Sequence, residues 1–446
     1  MSDLLAGKRV LVLGLGLSGR SAARHCAAAG ARVVAADERP AGALGELREL
    51  ADATELVLGG AFPDPADFDL VVPSPGVPPT RYRGRARRVW GDLELAYRAL
   101  SVPIVAITGS NGKSTTTRLV EALLRAAGLR AEAAGNIGVA ALDLVGRPLD
   151  VAVLEVSSFQ LETIESFRPR VAVILNLTED HIDRHGSFAA YAAAKARLLE
   201  RQLPDDTAVL SADDPEVARL AALARARVLS FSLHGPVPRG AWLDAGSVCL
   251  RDGGPLQRIS LEGLRLRGLH NLENVTAALA AVLALGADVA KAAAALPLFE
   301  GLPHRSELVC ERAGVSWIDD SKGTNVGAAV RSLESFREPV LWIAGGKDKA
   351  LDFAPLVAAA RGRVRTALLI GEAAAKLEAA LAGAVPTERL GTLEAAVARA
   401  AALARPGDVV LLSPACASFD QFRSYAHRGE CFRAAVRALA RPEGRS

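Results

Sequence analysis

The chain has 446 residues, a formal net charge of +3 at pH 7 and 50% hydrophobic residues. This length exceeds one ordinary core, so about two or three domains are expected. Acidic and basic residues nearly cancel, which gives no general electrostatic reason to expect a nucleic acid partner. The 5 cysteines include no CxxC pair, which argues against a disulfide framework or a cysteine-based zinc site and fits a reducing compartment.

Nothing in the sequence predicts a membrane protein. The first residues lack the basic-then-apolar pattern of a signal peptide, and arginine, glutamate and glycine interrupt the alanine-rich runs. We therefore expect a cytoplasmic location and no membrane partner.

Short branched apolar runs alternate with Ala/Leu/Arg-rich stretches of helical period, which predicts α/β domains with mostly parallel sheets. A helical stretch before Val102 and the Pro-rich break of an Ala-rich helix at 297–303 suggest two boundaries, giving three domains at 1–98, 99–299 and 300–446. The predicted strands are Arg9–Leu13, Arg32–Ala36, Ile104–Ile107, Val151–Leu154, Val171–Leu175, Val315–Ile318, Val340–Ile343, Ala367–Ile370 and Val409–Leu412.

The first predicted strand runs into a glycine-rich loop, Gly14-Leu-Gly16-Leu-Ser-Gly19, and then a helix, and the next strand ends in Asp37. This pattern is the dinucleotide fingerprint, in which an acid follows the glycines by about 20 residues. Taken alone it suggests an NAD-dependent enzyme. Glycines and a helix N-terminus accommodate any nucleotide diphosphate, however, and a tight turn without a ligand also stays open.

A second glycine loop, Thr108-Gly-Ser-Asn-Gly-Lys-Ser114, lies between the strand Ile104–Ile107 and another helix. Backbone N–H groups of such a loop face phosphates, Lys113 supplies positive charge, and the Ser114 hydroxyl suits Mg²⁺. The spacing GxxGKS is shorter than the common GxxxxGK[ST]. This loop predicts ATP binding at the start of the helix.

Candidate metal ligands follow the two strands expected beside this loop. Glu155 comes directly after Val151–Leu154, and a carboxylate at the end of a neighbouring parallel strand commonly holds Mg²⁺. His181 lies among acids just past Val171–Leu175 and is a candidate for the same site, although a lone histidine is more often structural. Lys195 lies in an alanine-rich helix, where the pattern predicts an exposed lysine.

Together these motifs resemble those of the Mur ligases of peptidoglycan synthesis, and the resemblance covers nearly the whole chain. It implies three α/β domains: a Rossmann-like N-terminal domain for a UDP substrate, a central P-loop ATPase-like domain with a mostly parallel sheet for ATP and Mg²⁺, and a C-terminal Rossmann-like domain for the incoming amino acid. The matching strings are Thr108–Thr116, Gly135–Gly138, Leu154–Glu162, Asp180-His181, His270–Asn274, Leu302–Arg305, Asp319–Asn325 and Leu412–Phe422.

The resemblance assigns site residues by position and moves the first glycine loop from NAD to UDP. The substrate UDP-N-acetylmuramoyl-L-alanine would contact Gly14, Leu15, Ser18, Gly19, Asp37, Glu38, Arg39, Ser74, Pro75, Gly76, Asn136 and His181. ATP would contact Gly109, Ser110, Asn111, Gly112, Lys113, Ser114, Thr115, Asn271, Asn274, Arg305 and Asp320. D-Glutamate would contact Lys322, Thr324, Lys349, Ser418, Phe419 and Tyr425. Two Mg²⁺ ions would be held by Ser114, Glu155, His181 and a CO₂-derived carbamate on Lys195.

The implied reaction converts the substrate carboxylate into an acyl phosphate, which the amine of D-glutamate then attacks. Lys113, Glu155, His181 and carbamylated Lys195 would carry the catalysis, and a monomer is expected. The C-terminal strings favour the D-glutamate step. The alternatives are another Mur step, a folylpolyglutamate synthetase-like ligase and, from other classes, an NAD-dependent oxidoreductase or a non-catalytic nucleotide-binding scaffold.

Overall fold

A computed structural model of the chain describes residues 2–266, 268–348 and 352–439. It contains three β-sheets of four, nine and six strands, each packed with helices. The chain divides into two compact units: Met1–Glu262 with Val275–Leu296, and Gly263–Asn274 with Pro297–Ser446. Within the described ranges, no helix combines the length and apolar character needed to cross a membrane.

The first sheet is fully parallel, with strand order β3-β2-β1-β4. Its central strand β1 is buried from Val10 to Leu13, as expected for an apolar run covered on both faces. The elements in chain order are α1 (Ser2–Leu5), β1 (Arg9–Leu13), α2 (Leu17–Ala28), β2 (Arg32–Asp37), α3 (Arg48–Ala51), β3 (Glu55–Leu58), β4 (Leu70–Pro73) and α4 (Asp92–Ala99).

The second sheet has the order β13-β12-β11-β10-β9-β8-β5-β7-β6 and belongs to the same unit. It is parallel from β6 to β11, and only β12 and β13 pair antiparallel. Its elements are β5 (Ile104–Thr108), α5 (Lys113–Ala126), β6 (Ala131–Gly135), β7 (Val151–Glu155), α6 (Ser158–Leu161), β8 (Val171–Ile174), α7 (Ile182–His185), α8 (Phe188–Ala196), β9 (Thr207–Ser211), α9 (Pro215–Arg219), β10 (Arg227–Ser232), β11 (Gly240–Asp244), β12 (Ser247–Arg251), β13 (Gln257–Ser260), α10 (Leu269–Leu285) and α11 (Val289–Ala292).

The third sheet, in the other unit, has the order β14-β15-β19-β16-β17-β18 and is parallel apart from the β14–β15 pair. Two apolar clusters cover its two faces. Its elements are β14 (Glu307–Arg312), β15 (Val315–Asp319), α12 (Val326–Glu334), β16 (Val340–Gly345), α13 (Ala354–Ala360), β17 (Val364–Ile370), α14 (Ala374–Leu381), β18 (Thr387–Gly391), α15 (Leu393–Leu403), β19 (Val409–Leu412) and α16 (Tyr425–Ala438).

All nine predicted strands are present, and most agree with the structure to within a residue; β17 begins at Val364, three residues before its predicted start. The expected break of the Ala-rich helix at Pro297 is wrong. The helix α10 already ends at Leu285, because Gly286 adopts φ +80° and Asp288 caps the short helix α11. The predicted domain boundaries stay predictions.

Candidate active site

The second glycine loop has the geometry of a phosphate cradle. Strand β5 ends at Thr108 and α5 begins at Lys113, with Gly112 as its left-handed N-cap at φ +85°. The ammonium of Lys113 folds back and donates to the carbonyl oxygens of Gly109 and Ser110 at 2.9 and 3.0 Å. The Lys113 cation therefore lies over the backbone that would surround a phosphate.

Residues just after β8 and on α8 contact the same loop. The Asn176 side chain accepts from the Asn111 N–H at 2.9 Å and donates to the Asn111 carbonyl at 3.1 Å. The Ser110 hydroxyl lies 2.9 Å from the Tyr191 hydroxyl. Ser114 and Thr115 are buried in the first turn of α5. The predicted ATP residues 109–115 thus form one hydrogen-bonded turn at the carboxyl edge of the sheet.

Glu155 lies at the end of β7, next to β5 in the sheet. Its Oε1 accepts from the Asn136 side chain at 3.0 Å, whereas its buried Oε2 has no hydrogen-bond partner within the part of the chain that the structure describes. A Cβ at Gly135 would lie 2.3 Å from the Glu155 carbonyl oxygen, so this glycine lets the two strand ends approach. A buried carboxylate oxygen without a donor suits a hard cation such as Mg²⁺.

Lys195 is buried, with 1% of its surface exposed, so the pattern-based prediction of an exposed lysine is wrong. Helix α8 places the Lys195 side chain at the end of β5. The Lys195 Nζ donates to Thr108 Oγ1 at 3.2 Å and to the Gly109 carbonyl at 2.9 Å. Burial lowers the pKa of Lys195 well below its usual value, and the nearby charge of Lys113 lowers it further. Both lysines donate to the same carbonyl, so the structure brings them together.

His181 is exposed at the start of α7 and adopts a left-handed backbone conformation at φ +54°. That backbone conformation is uncommon for residues other than glycine and is found mostly where the surrounding structure imposes it. Its ring packs on Phe159, with centroids 4.8 Å apart, and its Nε2 lies 3.7 Å from Asp180 Oδ2. Packing against Phe159 therefore fixes where the imidazole lies beyond β8.

The first glycine loop is closed by an acid at the end of β2. Asp37 Oδ2 accepts from the Leu15 N–H at 2.7 Å, and its two oxygens accept from the Arg39 guanidinium at 2.9 and 2.7 Å. The Arg39 side chain, ahead of opposing burial, lowers the pKa of Asp37 to about 2. Ser74 donates to the Gly14 carbonyl at 2.7 Å. Asp37 thus organises the loop.

The other predicted nucleotide-side residues lie around this loop. Glu38 pairs with Arg81 at 2.8 Å, with both side chains about half exposed. Pro75 and Gly76 continue the turn after β4, and Ser18 and Gly19 lie in the first turn of α2. A Cβ at Gly19 would lie 1.8 Å from the Gly14 carbonyl oxygen, so the helix can only approach the loop with glycine there.

The second unit contains the remaining predicted ATP residues. Asp320 is buried after β15 and accepts from the Ser332 and Ser413 hydroxyls, each at 2.8 Å. Burial raises the pKa of Asp320 to about 6, against those two hydrogen bonds. Asn274 donates to Asn271 at 3.2 Å. Arg305 is half-buried and its charge lowers the pKa of Asp320, so the two are electrostatically coupled.

The predicted amino-acid residues include one clear pair. The Lys322 ammonium lies 3.9 Å from the centroid of the Tyr425 ring, a cation–π contact. Ser418 is buried, Thr324 is half-buried, and Phe419 has 69% of its surface exposed. Lys349 lies outside the described residues.

A carboxylate and histidine cluster close to this pair resembles a metal site at first sight. His304, Glu307 and Asp319 each place a ligand atom within 4.8 Å of the others. The Arg433 guanidinium, however, donates to Glu307 at 3.0 Å and lies 3.2 Å from His304 Nε2. Since a permanent cation already contacts these groups, the cluster is an ion-pair network.

Comparison with known proteins decides the family. Family models match in order: the Mur ligase MurD-like N-terminal domain at residues 8–83, the Mur ligase middle domain at 107–282, and the Mur ligase glutamate ligase domain at 304–416. The UDP-N-acetylmuramoylalanine–D-glutamate ligase of Geobacter metallireducens is 48% identical, covering 98% of this chain and 99% of its own length. That of Geotalea daltonii is 45% identical over 98% of both chains.

The chain belongs to the Mur ligase family.

Solved structures of Mur-type ligases share the fold. The MurF ligase from Thermotoga maritima in complex with ADP aligns with a TM-score of 0.62 at 20% identity, over 98% of this chain and 100% of that one. A pseudomurein peptide ligase type C from Methanothermus fervidus gives 0.62 at 19% identity, over 97% and 100%. At such identities the likeness shows the three-domain α/β fold alone. Mur ligases use ATP to form an amide bond between two substrates. An NAD-dependent oxidoreductase is therefore no longer a candidate.

One buried residue of this Mur ligase was not found from the sequence. Arg428 on α16 is fully buried and donates to the Ser321 carbonyl at 2.9 Å and the Cys416 carbonyl at 3.2 Å. It therefore ties the loop of Lys322 to the loop of Ser418. Burial lowers its pKa to about 10. An arginine within a helix of an arginine-rich chain offers no pattern that would have marked it.

Proposed function

We propose that this Mur ligase joins D-glutamate to UDP-N-acetylmuramoyl-L-alanine, using ATP to convert the substrate carboxylate into an acyl phosphate. The observation that carries the proposal is the set of charged side chains around one glycine loop. Lys113 and Lys195 share a carbonyl, and the buried Oε2 of Glu155 accepts no hydrogen bond from the residues that the structure describes. The naming of full-length relatives supports the choice of substrates.

In the first half-reaction the substrate carboxylate oxygen attacks the γ-phosphorus of ATP, and ADP leaves. Negative charge spreads over the transferring group, and fixed N–H donors and cations are the main source of its stabilisation. Lys113 would exchange its present contacts with the Gly109 and Ser110 carbonyls for phosphate oxygens. A bare carboxylate would not react with an amine, because oxide is a poor leaving group.

The residues present fit Mg²⁺. Glu155 offers a buried oxygen, Ser114 a hydroxyl in the first turn of α5, and His181 a ring held against Phe159. These residues would hold the ions. Bound Mg²⁺ would supply positive charge to the phosphate oxygens.

Lys195 would complete the set as a carbamate. Burial and the neighbouring charge of Lys113 both lower its pKa, which raises the fraction of neutral amine. The amine lone pair forms an N–C bond with CO₂, one proton leaves, and the ammonium donor becomes an anionic oxygen ligand. An ammonium has no lone pair to offer a metal, whereas carboxylate-like oxygens are what Mg²⁺ prefers.

In the second half-reaction the amine nitrogen of D-glutamate attacks the acyl carbon, a tetrahedral intermediate forms, and phosphate departs with its bonding pair while the amine loses a proton. A dicarboxylate amino acid needs cations and hydroxyl donors. Lys322 beside Tyr425 supplies one cation, with Thr324 and Ser418 as hydroxyl candidates. The contact between Lys349 and D-glutamate stays a prediction. The monomeric state and the cytoplasmic location also stay predictions.

Phosphate release tests the proposal. The protein is incubated with ATP, Mg²⁺, UDP-N-acetylmuramoyl-L-alanine and one amino acid at a time, and phosphate is measured. Release with D-glutamate alone is expected, and Lys113→Ala serves as the inactive control. Release only with L-lysine or diaminopimelate would assign another Mur step. Release only with a folate and L-glutamate would assign a folylpolyglutamate synthetase-like ligase.

A further inference from the structure

Arg184 is a largely buried arginine that no role assigned above uses. It lies on the short helix α7, which follows His181, and 13% of its side chain is exposed. Its Nη2 donates to the Val77 carbonyl at 3.2 Å and to Glu162 Oε2 at 3.0 Å. One guanidinium nitrogen therefore joins segments that are distant along the chain, since Val77 lies 107 positions from Arg184.

The Val77 contact leads directly to the first glycine loop. Val77 closes the turn after β4, because its N–H donates to the Ser74 carbonyl at 2.9 Å. The Ser74 hydroxyl donates to the Gly14 carbonyl at 2.7 Å. Gly14 adopts φ +81°, and a Cβ there would lie 2.9 Å from Val77 Cγ2. The turn that Arg184 contacts is therefore packed directly against the loop.

The Glu162 contact leads to the helix that precedes β8. Glu162 lies just after α6, and 11% of its side chain is exposed. Its Oε1 lies 3.4 Å from His185 Nδ1, and His185 Nε2 lies 3.0 Å from the Ser158 hydroxyl. Since Arg184 and His185 both lie on α7, these contacts hold α7 against α6.

The guanidinium also lies over an aromatic ring that contacts His181. The Arg184 Cζ lies 4.9 Å from the Phe159 ring centroid, and the His181 ring centroid lies 4.8 Å from the same point. A guanidinium over an aromatic face is attracted to it, and its planar fork fixes its direction more closely than an ammonium would. Arg184 and the imidazole that we assign to Mg²⁺ therefore contact the same ring.

Hydrogen bonding alone does not explain where this guanidinium lies. The buried Nε of Arg184 has no hydrogen-bond partner among residues 2–266, 268–348 and 352–439. A buried donor without a partner destabilises a fold, and native proteins contain few of them. The arrangement therefore favours the contacts with Val77 and Glu162 over the full hydrogen bonding of Arg184.

We infer that Arg184 is a positioning residue for the nucleotide substrate, setting the distance between the first glycine loop and helix α7. The inference rests on the proposed function, in which the substrate has its diphosphate at the first loop and its carboxylate near the metal ligands. Both ends lie in one compact unit. An error of about 1 Å between two such anchors is enough to lower a rate about 100-fold.

A ligand that reaches both ends responds to this distance, whereas UDP occupies the first loop alone. The experiment therefore compares kcat/KM for UDP-N-acetylmuramoyl-L-alanine with the inhibition constant of UDP, in wild type and in Arg184→Met. Methionine keeps an unbranched apolar stem and removes every donor. We expect kcat/KM for the full substrate to fall at least about tenfold, while the inhibition constant of UDP and the KM for ATP stay within about twofold of wild type.

A double variant separates the lost spacing from the effect of a buried charge. Arg184→Met leaves Glu162 without its cation, and an unpaired buried carboxylate destabilises a protein by itself. Glu162→Gln removes that charge. The variant that combines Arg184→Met with Glu162→Gln should therefore fold even where the single variant does not, and its kcat/KM should stay as low as that of Arg184→Met.

Arg168→Met is the matched control. Arg168 donates to the buried Asp206 at 2.6 and 3.1 Å. The two residues precede the parallel strands β8 and β9, at the edge of the sheet opposite the second glycine loop. Loss of this ion pair should lower the Tm and leave both kcat/KM and the inhibition constant of UDP unchanged.

The outcomes separate the two ideas. A wild-type protein that releases no phosphate with D-glutamate overturns the proposed function. With an active wild type, an unchanged kcat/KM in Arg184→Met overturns the positioning role, and so does an equal loss in Arg168→Met. An inhibition constant of UDP that rises as much as kcat/KM falls would show that Arg184 only holds the first loop. A double variant with wild-type kcat/KM would assign the loss to the unpaired Glu162, and either result overturns the inference.

Discussion

Gly19 allows a direct test of how the first glycine loop is built and of its proposed role in binding the nucleotide substrate. A Cβ at this position would lie 1.8 Å from the Gly14 carbonyl oxygen and 2.6 Å from Ser74 Oγ. At Gly16, three residues earlier in the same loop, a Cβ would meet nothing within 4 Å. The same glycine-to-alanine change therefore strains the fold at one position and not at the other.

The cost of Gly19→Ala follows from these distances. A carbon and an oxygen in favourable contact are about 3.3 Å apart, so helix and loop must separate by roughly 1.5 Å. Overpacking of this kind costs about 1–3 kcal/mol, while alanine regains about 1 kcal/mol of helix propensity. Taking the upper end, the net loss is about 2 kcal/mol. For a folding unit of about 150–250 residues, a loss of about 2 kcal/mol corresponds to a Tm lower by about 4–8 °C.

Thermal melting and steady-state kinetics measure the effect. For Gly19→Ala we expect the lower Tm together with a KM for UDP-N-acetylmuramoyl-L-alanine raised at least about tenfold, because the loop is displaced by about 1 Å or more. The KM for ATP should stay unchanged. The Gly16→Ala variant should have the same Tm as the wild type. A Gly19→Ala variant with wild-type Tm and nucleotide KM would refute the close approach of α2 to the loop.

Three further predictions concern the other groups. Lys113→Ala should lower kcat by about 10²–10³-fold, the range for a lost electrostatic stabiliser, as measured by phosphate release. Lys195→Ala should be inactive and regain activity with short carboxylic acids; full activity without them would contradict the carbamate. Asp320 has its pKa raised to about 6 from 3.8, so its contribution to stability is complete below pH 3.8 and is lost as pH rises through 6. That shift is worth about 3 kcal/mol, and Asp320→Asn should flatten the pH dependence of urea unfolding in this range.

The parts of the site that the sequence predicted are those written in consecutive residues. A strand, a glycine loop and a Lys-Ser pair specify Thr108–Ser114 without reference to the rest of the chain. Glu155 was predicted because parallel strands end at one edge of the sheet, and β5 and β7 are indeed neighbours. Local patterns of this kind also predicted nine strands, all of which are present in the structure.

The parts that could not be predicted depend on partners distant along the chain. The buried Asp92 accepts a hydrogen bond from Gln160, which lies 68 positions away, and Arg428 donates to Ser321, 107 positions away. Lys195 has no local feature that separates it from a surface lysine; its burial comes from α8 packing against the end of β5. For Lys195 the family resemblance, not the residue pattern, pointed to the site.

The two glycine loops show why one motif cannot decide between binding and chemistry. Both place glycines and a helix N-terminus at a strand end, which suffices to hold a diphosphate. The first loop adds Asp37, whose carboxylate accepts hydrogen bonds from the Leu15 N–H and the Arg39 guanidinium. The second adds Lys113, Lys195 and a buried Glu155 oxygen that accepts no hydrogen bond in the described part of the chain. Phosphoryl transfer requires positive charges close to the γ-phosphoryl group. The charged groups at the second loop fit that requirement, and under the proposed function the first loop holds the diphosphate of the other substrate, which does not react.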